Sequence, residues 1–318
     1  MALFDYPLTA QDIGKMASWP ASRHIFEKDH ILALRAAQAT GRPLLVRGEA
    51  GTGKSQLAHA AAYVTGRAFL PVVVSGETSA SDLHWKFDAI ARLADAQMAG
   101  QPGAKLAAEL SVEQYLHPGP LWWALNWQDA LQQQQGCRHA SHWQPQTPAG
   151  WQAEHGMVLL IDEIDKAEPD LPNGLLEALA NGAFEVPLLG KTVEQSDTPP
   201  LIVITTNDER ELPAAFLRRC LVITIALPEQ DDALLDWLLA RGQLHFPNLP
   251  PKSMQEAASM LIADRKAAKI RRCYQPGLAE YLDLLRALQQ LGEEGEQAFN
   301  TLKQFYFDKQ PVGDTGGY

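Results

Sequence analysis

Many apolar residues in this chain fall into short runs that are nearly unbroken. These are 43–46, 69–74, 157–161, 201–204 and 221–225, and the first four are followed within three residues by glycine, asparagine or a carboxylate. A strand covered on both faces reads as a continuous apolar run rather than an alternation. The five runs therefore predict five buried strands, with Pro71 near the start of the second, where proline is tolerated. Between them the apolar spacing lengthens to that of helices, over 30–37 (closing near Gly41), 56–63 (closing near Gly66), 82–98 and 170–180. In the last of these Leu175, Leu176 and Leu179 share a face, and Asn181-Gly182 is the stop. A hairpin over 184–193 turns at Gly190, and a short helix is predicted over 212–220.

Alternating strands and helices predict an α/β fold built on a parallel five-stranded sheet flanked by helices. From about Pro228 only helical spacing remains, over 231–241, 254–265, 277–290 and 296–307. The expected organisation is a lead-in at 1–28, an α/β domain at 29–228 with an insertion at about 76–156, a small all-α lid domain at 229–310 and a flexible glycine-bearing tail at 311–318.

The first strand runs into Gly48-Glu49-Ala50-Gly51-Thr52-Gly53-Lys54-Ser55, and Gln56 continues into a helix. Strand, glycine-rich loop and helix are the context in which G-x-x-x-x-G-K-[ST] is a phosphate site, a P-loop. Glycines let several N–H groups converge on one anion, and the new helix adds the positive end of its dipole. Lys54 is expected to reach the outer phosphates and Ser55 to hold Mg²⁺. The third run ends in Asp162 and Glu163, at the end of the sheet where open α/β folds place ligands. Asp162 is expected to support Mg²⁺, and Glu163 to polarise an attacking water. The fourth run ends at Asn207, which reads either as a turn residue or as an amide that orients that water. Arg218 and Arg219, on the short helix, read either as partners of its C-terminus or as groups projecting to another subunit's nucleotide.

Charge and composition narrow the classes. The formal net charge is −11, and no lysine-arginine tract occurs, which counts against nucleic acid as a partner. No apolar run approaches the ~18 residues of a membrane span, and the first residues lack the pattern of a signal peptide. Three separated cysteines, Cys137, Cys220 and Cys273, fit reduced thiols in the cytoplasm.

Two features of the insertion stand apart. Five of the eight tryptophans fall between Trp122 and Trp151, which reads as a small satellite core or as a binding surface. Cys137, His139, His142 and His155 match no zinc spacing and read as surface loop residues.

Phosphate loop, acidic strand tip, Asn-tipped strand, arginine-bearing helix and trailing helices occur in this order in AAA+ ATPases. The chain resembles the MoxR-like branch of that family over residues 29–310, most closely at 48–55, 159–167, 205–207 and 212–220. Gly119-Pro120-Leu121 also resembles the segment that precedes the acidic strand in that branch. The resemblance implies ATP and Mg²⁺ as ligands, with Gly48 to Gln56 around the phosphates. It makes Asn207 the sensor of the γ-phosphate and Arg219 the finger lent to a neighbouring subunit, with Arg218 beside it. It further implies a hexameric ring and a protein client, with a von Willebrand A domain protein as the expected partner. The family's lid arginine has no counterpart within 274–280, so either Arg271 or Arg272 takes that role or the residue is missing. Two other functions fit the same motifs: the NTPase motor of a nucleic-acid-directed defence or restriction system, and a slow nucleotide-gated switch or scaffold.

Overall fold

The computed structural model describes residues 10–99, 110–138, 144–271, 274–292, 294, 297 and 299–307. In chain order the elements begin with β1 (Ala10–Ile13), β2 (Ser22–Ile25), α1 (Lys28–Thr40), β3 (Leu44–Arg47), α2 (Lys54–Thr65) and β4 (Ala68–Val73). The insertion follows with α3 (Ala80–His84), β5 (Trp85–Phe87), α4 (Ala89–Ala99), β6 (Leu116–Pro118), α5 (Pro120–Leu125) and α6 (Trp127–Gly136). Then come β7 (Met157–Asp162), α7 (Asp170–Gly174), α8 (Leu176–Asn181), β8 (Ala183–Val186), β9 (Lys191–Glu194), β10 (Leu201–Thr206), α9 (Ala214–Leu217) and β11 (Leu221–Thr224). Among the described residues four helices follow: α10 (Asp231–His245), α11 (Pro251–Arg271), α12 (Leu278–Leu291) and α13 (Phe299–Phe307). Among the described residues no helix is long and apolar enough to cross a membrane.

The five apolar runs pair in parallel in the order β11-β3-β10-β7-β4. The middle strands carry the unbroken runs because both of their faces are covered, and Leu44 to Val46 and Val158 to Ile161 are wholly buried. Pro71 lies inside β4 rather than near its start, opposite Leu160. It is tolerated because β4 is an edge strand. At the other edge, β11 alternates between half-buried and exposed positions.

Several elements depart from the apolar spacing. The lead-in contains an antiparallel hairpin, β1–β2, whose Gln11, Asp12, Arg23 and His24 carry no hydrophobic alternation. The helix predicted over 82–98 is broken at Trp85, because Trp85–Phe87 pairs with Leu116–Pro118. Asp88 then caps the new helix, its carboxylate accepting the Ala91 N–H at 2.8 Å. The helix predicted over 170–180 divides at Leu175 into α7 and α8.

The described tryptophans of the insertion form no satellite, and Trp143 lies outside the described residues. Trp122 and Trp123 are fully buried, in one cluster with Leu159 and Ile161 of the sheet and with Leu175 and Phe184. Trp122 donates to Asp129 at 2.7 Å, its ring lies 5.3 Å beneath the Lys191 ammonium, and Lys191 pairs with the same carboxylate at 2.5 Å. Trp127 bridges Trp123 and Trp151 with ring centroids 4.8 Å apart on each side.

By its contacts the chain divides into two compact units, residues up to Arg47 with Ser55–Thr224, and Gly48–Lys54 with the chain from Ile225 onward. The second unit has its own core, including Leu238, Leu261, Tyr281 and Leu285. Helices α10 and α12 approach closely at Gly242, where a Cβ would meet the Tyr281 hydroxyl at 2.6 Å.

Trp122→Ala should lower unfolding free energy by about 3–5 kcal/mol, the range for deleting a large buried aromatic side chain. A urea titration with unchanged m-value checks it, whereas a peripheral ring would cost under about 1 kcal/mol.

A second prediction concerns His84, stacked on Phe184 at 4.5 Å with Nε2 buried and no hydrogen-bond partner among the described residues. Burial pulls its pKa down to about 4. The folded value lies below the unfolded one of about 6.5. The associated stability is therefore complete above pH ~6.5 and is lost as pH falls toward 4, up to about 3 kcal/mol. His84→Phe should flatten the stability profile across that window in denaturant melts at stepped pH.

Candidate active site

The phosphate loop is shaped by its glycines. Gly48, Gly51 and Gly53 have φ of 152°, 74° and 96°. A Cβ on Gly48 would stand 2.2 Å from the Ile225 carbonyl oxygen, so no other residue fits there. The Ala279 N–H donates to the Gly51 carbonyl at 3.2 Å, and a Cβ on Gly51 would crowd the Ala279 methyl at 3.1 Å. Thr52 Oγ1 donates to the Glu49 carbonyl at 2.9 Å. Lys54, only 6% exposed, donates to the Gly48 and Glu49 carbonyls at 2.8 Å each, so the loop curls around its own ammonium. Ala50 is exposed at the turn. The Glu49 carboxylate pairs with Arg265 of α11 at 2.8 Å, and Arg265 also donates to the Pro276 carbonyl at 2.7 Å. Arg271 is exposed at the last position of α11, and Arg272 lies outside the described residues.

In the first unit, the carboxylates stand at the C-terminal end of β7. Ser55 and Thr205 both donate their hydroxyl protons to Asp162 Oδ1, at 2.6 and 2.5 Å. Thr205 Oγ1 in turn accepts the Glu163 N–H at 2.9 Å. Glu163 is left-handed, with φ 60° and ψ 48°, a conformation costing about 1–2 kcal/mol in a residue with a Cβ. Its side chain takes a hydrogen bond from Lys166 at 2.8 Å, and that bond raises the Lys166 pKa. Asp165, on the next turn, is 2% exposed and accepts the N–H groups of Asn207 and Glu209 at 3.1 and 3.0 Å.

Asn207 sits half-buried just past β10, its amide 3.4 Å from a Glu209 carboxylate oxygen. Gln56 turns its side chain to Ser22 and His59, toward the N-terminal hairpin. Arg219 donates to the Ala215 carbonyl of α9 at 3.1 Å, the helix-end role, and Arg218 is exposed. Arg42 donates to the carbonyls of Arg218, Arg219 and Cys220, so the turn carrying both arginines is anchored to the start of β3.

The donors present suit phosphate and Mg²⁺. A glycine loop with a buried ammonium is an anion cradle. Ser55 Oγ and Asp162 Oδ1, 2.6 Å apart, are hard oxygen donors of the kind Mg²⁺ takes in small number beside phosphates. Among the described residues no group of three or more His, Cys, Asp or Glu gathers to hold a metal. The Cys137 thiol donates to backbone carbonyls, and burial pushes it up to about 11. His155 accepts the Gln152 N–H, and His139 and His142 lie outside the described residues.

Thr205, Asp165, Lys166 and Arg265 escape the motif reading. Thr205 and Thr206 do leave a trace in the sequence: two hydroxyls ending a buried strand need partners. Thr205→Val keeps the shape but strands the Glu163 N–H, and should cost about 1–3 kcal/mol of unfolding free energy. Thr205→Ser, which keeps the hydroxyl, should lose only about 1 kcal/mol for the methyl. Equal losses in denaturant melts would show that the hydroxyl is idle.

No curated protein matches the chain. Residues 43–220, more than half of it and spanning β3 to α9, match the AAA domain (dynein-related subfamily). With the parallel sheet, the glycine loop and the acidic end of β7 already in view, the chain belongs to that family of AAA+ ATPases.

Proposed function

We propose that this chain is a Mg-dependent, ring-forming ATPase of the MoxR-like branch that couples hydrolysis to remodelling or maturation of a protein partner. The observation that carries the hydrolytic part is the joint use of Asp162 Oδ1 by Ser55 and Thr205, with Glu163 held left-handed beside it. A strained residue fixed by its neighbours is typical of a working site. In this reading 29–228 is the nucleotide-binding domain and 229–310 its lid. The buried reduced thiols Cys137 and Cys220 suit the cytoplasm.

Gly48 to Gln56 wrap the phosphates, and Lys54 offsets charge on the γ-phosphoryl group. Mg²⁺, which Ser55 and Asp162 would hold, would supply charge that offsets the charge of the phosphates. Glu163 accepts a proton from water as the water oxygen bonds to the γ-phosphorus. The bond from that phosphorus to the β,γ-bridging oxygen breaks, leaving ADP and phosphate. Asn207 orients the water. Arg219, with Arg218 beside it, serves the neighbouring subunit's nucleotide, so activity requires assembly into the expected hexamer. A protein client, with a von Willebrand A domain as the expected partner fold, receives the work.

Light scattering of wild type and Glu163→Gln, with and without ATP and Mg²⁺, tests this reading. Nucleotide should drive assembly, and Glu163→Gln should keep the ring while turnover falls below detection. Arg219→Ala, or Arg218→Ala if that is the finger, should lower turnover by about 10³–10⁵ with assembly intact. A monomer that hydrolyses ATP as fast as the oligomer would sink the trans-arginine mechanism.

A further inference from the structure

The main-chain pairing of β7 with β10 runs in register from Leu201–Val158 to Ile204–Ile161. Past that last pair β10 stays paired with β3 through Thr206 and β7 with β4 through Asp162, and side chains join the two tips that carry Glu163 and Asn207. Thr205 reaches across to Asp162 and Glu163. Asp165 reaches back the other way, one oxygen taking the N–H groups of both Asn207 and Glu209. These two bonds span 42 and 44 residues of sequence, so no local turn preference produces them.

Asp165 is an expensive residue for mere structure. It is 2% exposed, and its second oxygen, Oδ1, is buried with no hydrogen-bond partner among the described residues. Burying a carboxylate so incompletely compensated costs stability. The residue it grips is the first of the β10 tip, and Asp208, next along, is forced to φ 57°.

We propose that Asp165 is a positioning residue for hydrolysis, setting the Asn207 amide against Glu163 by holding the Asn207 backbone. The inference rests on the ATPase reading above and deepens it. Asp165 does not touch the reacting atoms; it acts through Asn207. Misplacement of a water-orienting group by ~1 Å costs on the order of 10²-fold in rate.

The test is steady-state ATP hydrolysis by the full chain with Mg²⁺. Asp165→Ala should lower kcat about 10–100-fold, with KM for ATP within about threefold of wild type. Asp165→Asn keeps a carbonyl oxygen for the two N–H groups and should recover kcat to within about threefold. In an Asn207→Ala background, Asp165→Ala should remove less than about threefold more, because what it positions is already gone. If Asp165→Ala fails to fold, Asp165→Glu replaces it. That variant keeps charge and acceptors but sets them one methylene further out, and the same kcat loss and the same non-additivity are expected. Fully additive losses, or an Asn variant no better than Ala or Glu, would overturn the assignment. A wild-type chain that neither binds nor hydrolyses ATP overturns the ATPase reading and this inference together. A wild type that hydrolyses ATP beside an equally fast, folded Asp165→Ala overturns this inference alone.

Discussion

Strands β7 and β10 are hydrogen-bonded in parallel as far as Ile161 and Ile204, and the candidate site is built from what lies just beyond that pair. A parallel ladder ends abruptly, and the groups at its tips need other partners. Here β3 and β4 pair with the outer sides of the tips, and side chains join the two tips to each other. Thr205 donates a hydrogen bond to Asp162 and accepts one from the Glu163 backbone N–H, while Asp165 accepts the backbone N–H groups of Asn207 and Glu209. A two-strand junction that would otherwise fray becomes a braced corner, with a carboxylate on one side and an amide on the other. The left-handed turn at Glu163 persists because these bonds over-determine it.

The core beneath that corner extends further than a bare nucleotide-binding sheet. The insertion contributes Trp122 and Trp123 to the same apolar cluster as Leu159 and Ile161, and Lys191 locks Trp122 through the shared Asp129 carboxylate. A segment with loop-like composition around it thus covers one face of the central sheet. Large rigid rings suit this, because each buries much area while giving up little rotamer freedom.

The phosphate loop has an unusual allegiance. Its own contacts, Gly51 to Ala279 and Glu49 to Arg265, group it with the helices that end the chain, although its neighbours in sequence are β3 and α2. The Glu49–Arg265 pair is half open to solvent on the glutamate side, so its Coulomb energy is modest. Its interest is the geometry: an arginine of α11 meets the loop through the first variable position of the motif.

The strand runs, the phosphate loop and the acidic tip were legible in the sequence because each depends on local chemistry. A doubly covered strand is apolar throughout, a loop that turns through positive φ at Gly48, Gly51 and Gly53 takes glycine there, and the carboxylates at the tip of β7 follow its apolar run directly in the chain. What remained illegible depends on partners far away in the chain. Trp85–Phe87 reads as helix until Leu116–Pro118 arrives to pair with it. Pro71 reads as a strand start until the edge position of β4 shows why its missing N–H does no harm. Arg265 looks like one more polar residue of a long helix until Glu49 stands opposite. Thr205 and Asp165 look like ordinary strand-end residues until bonds spanning 42 to 44 positions join them to the other tip. Sequence determined which groups this protein carries and in what order. Tertiary structure alone decided which of them meet, because the hydrogen bonds that align the site close over separations at which no local pattern survives.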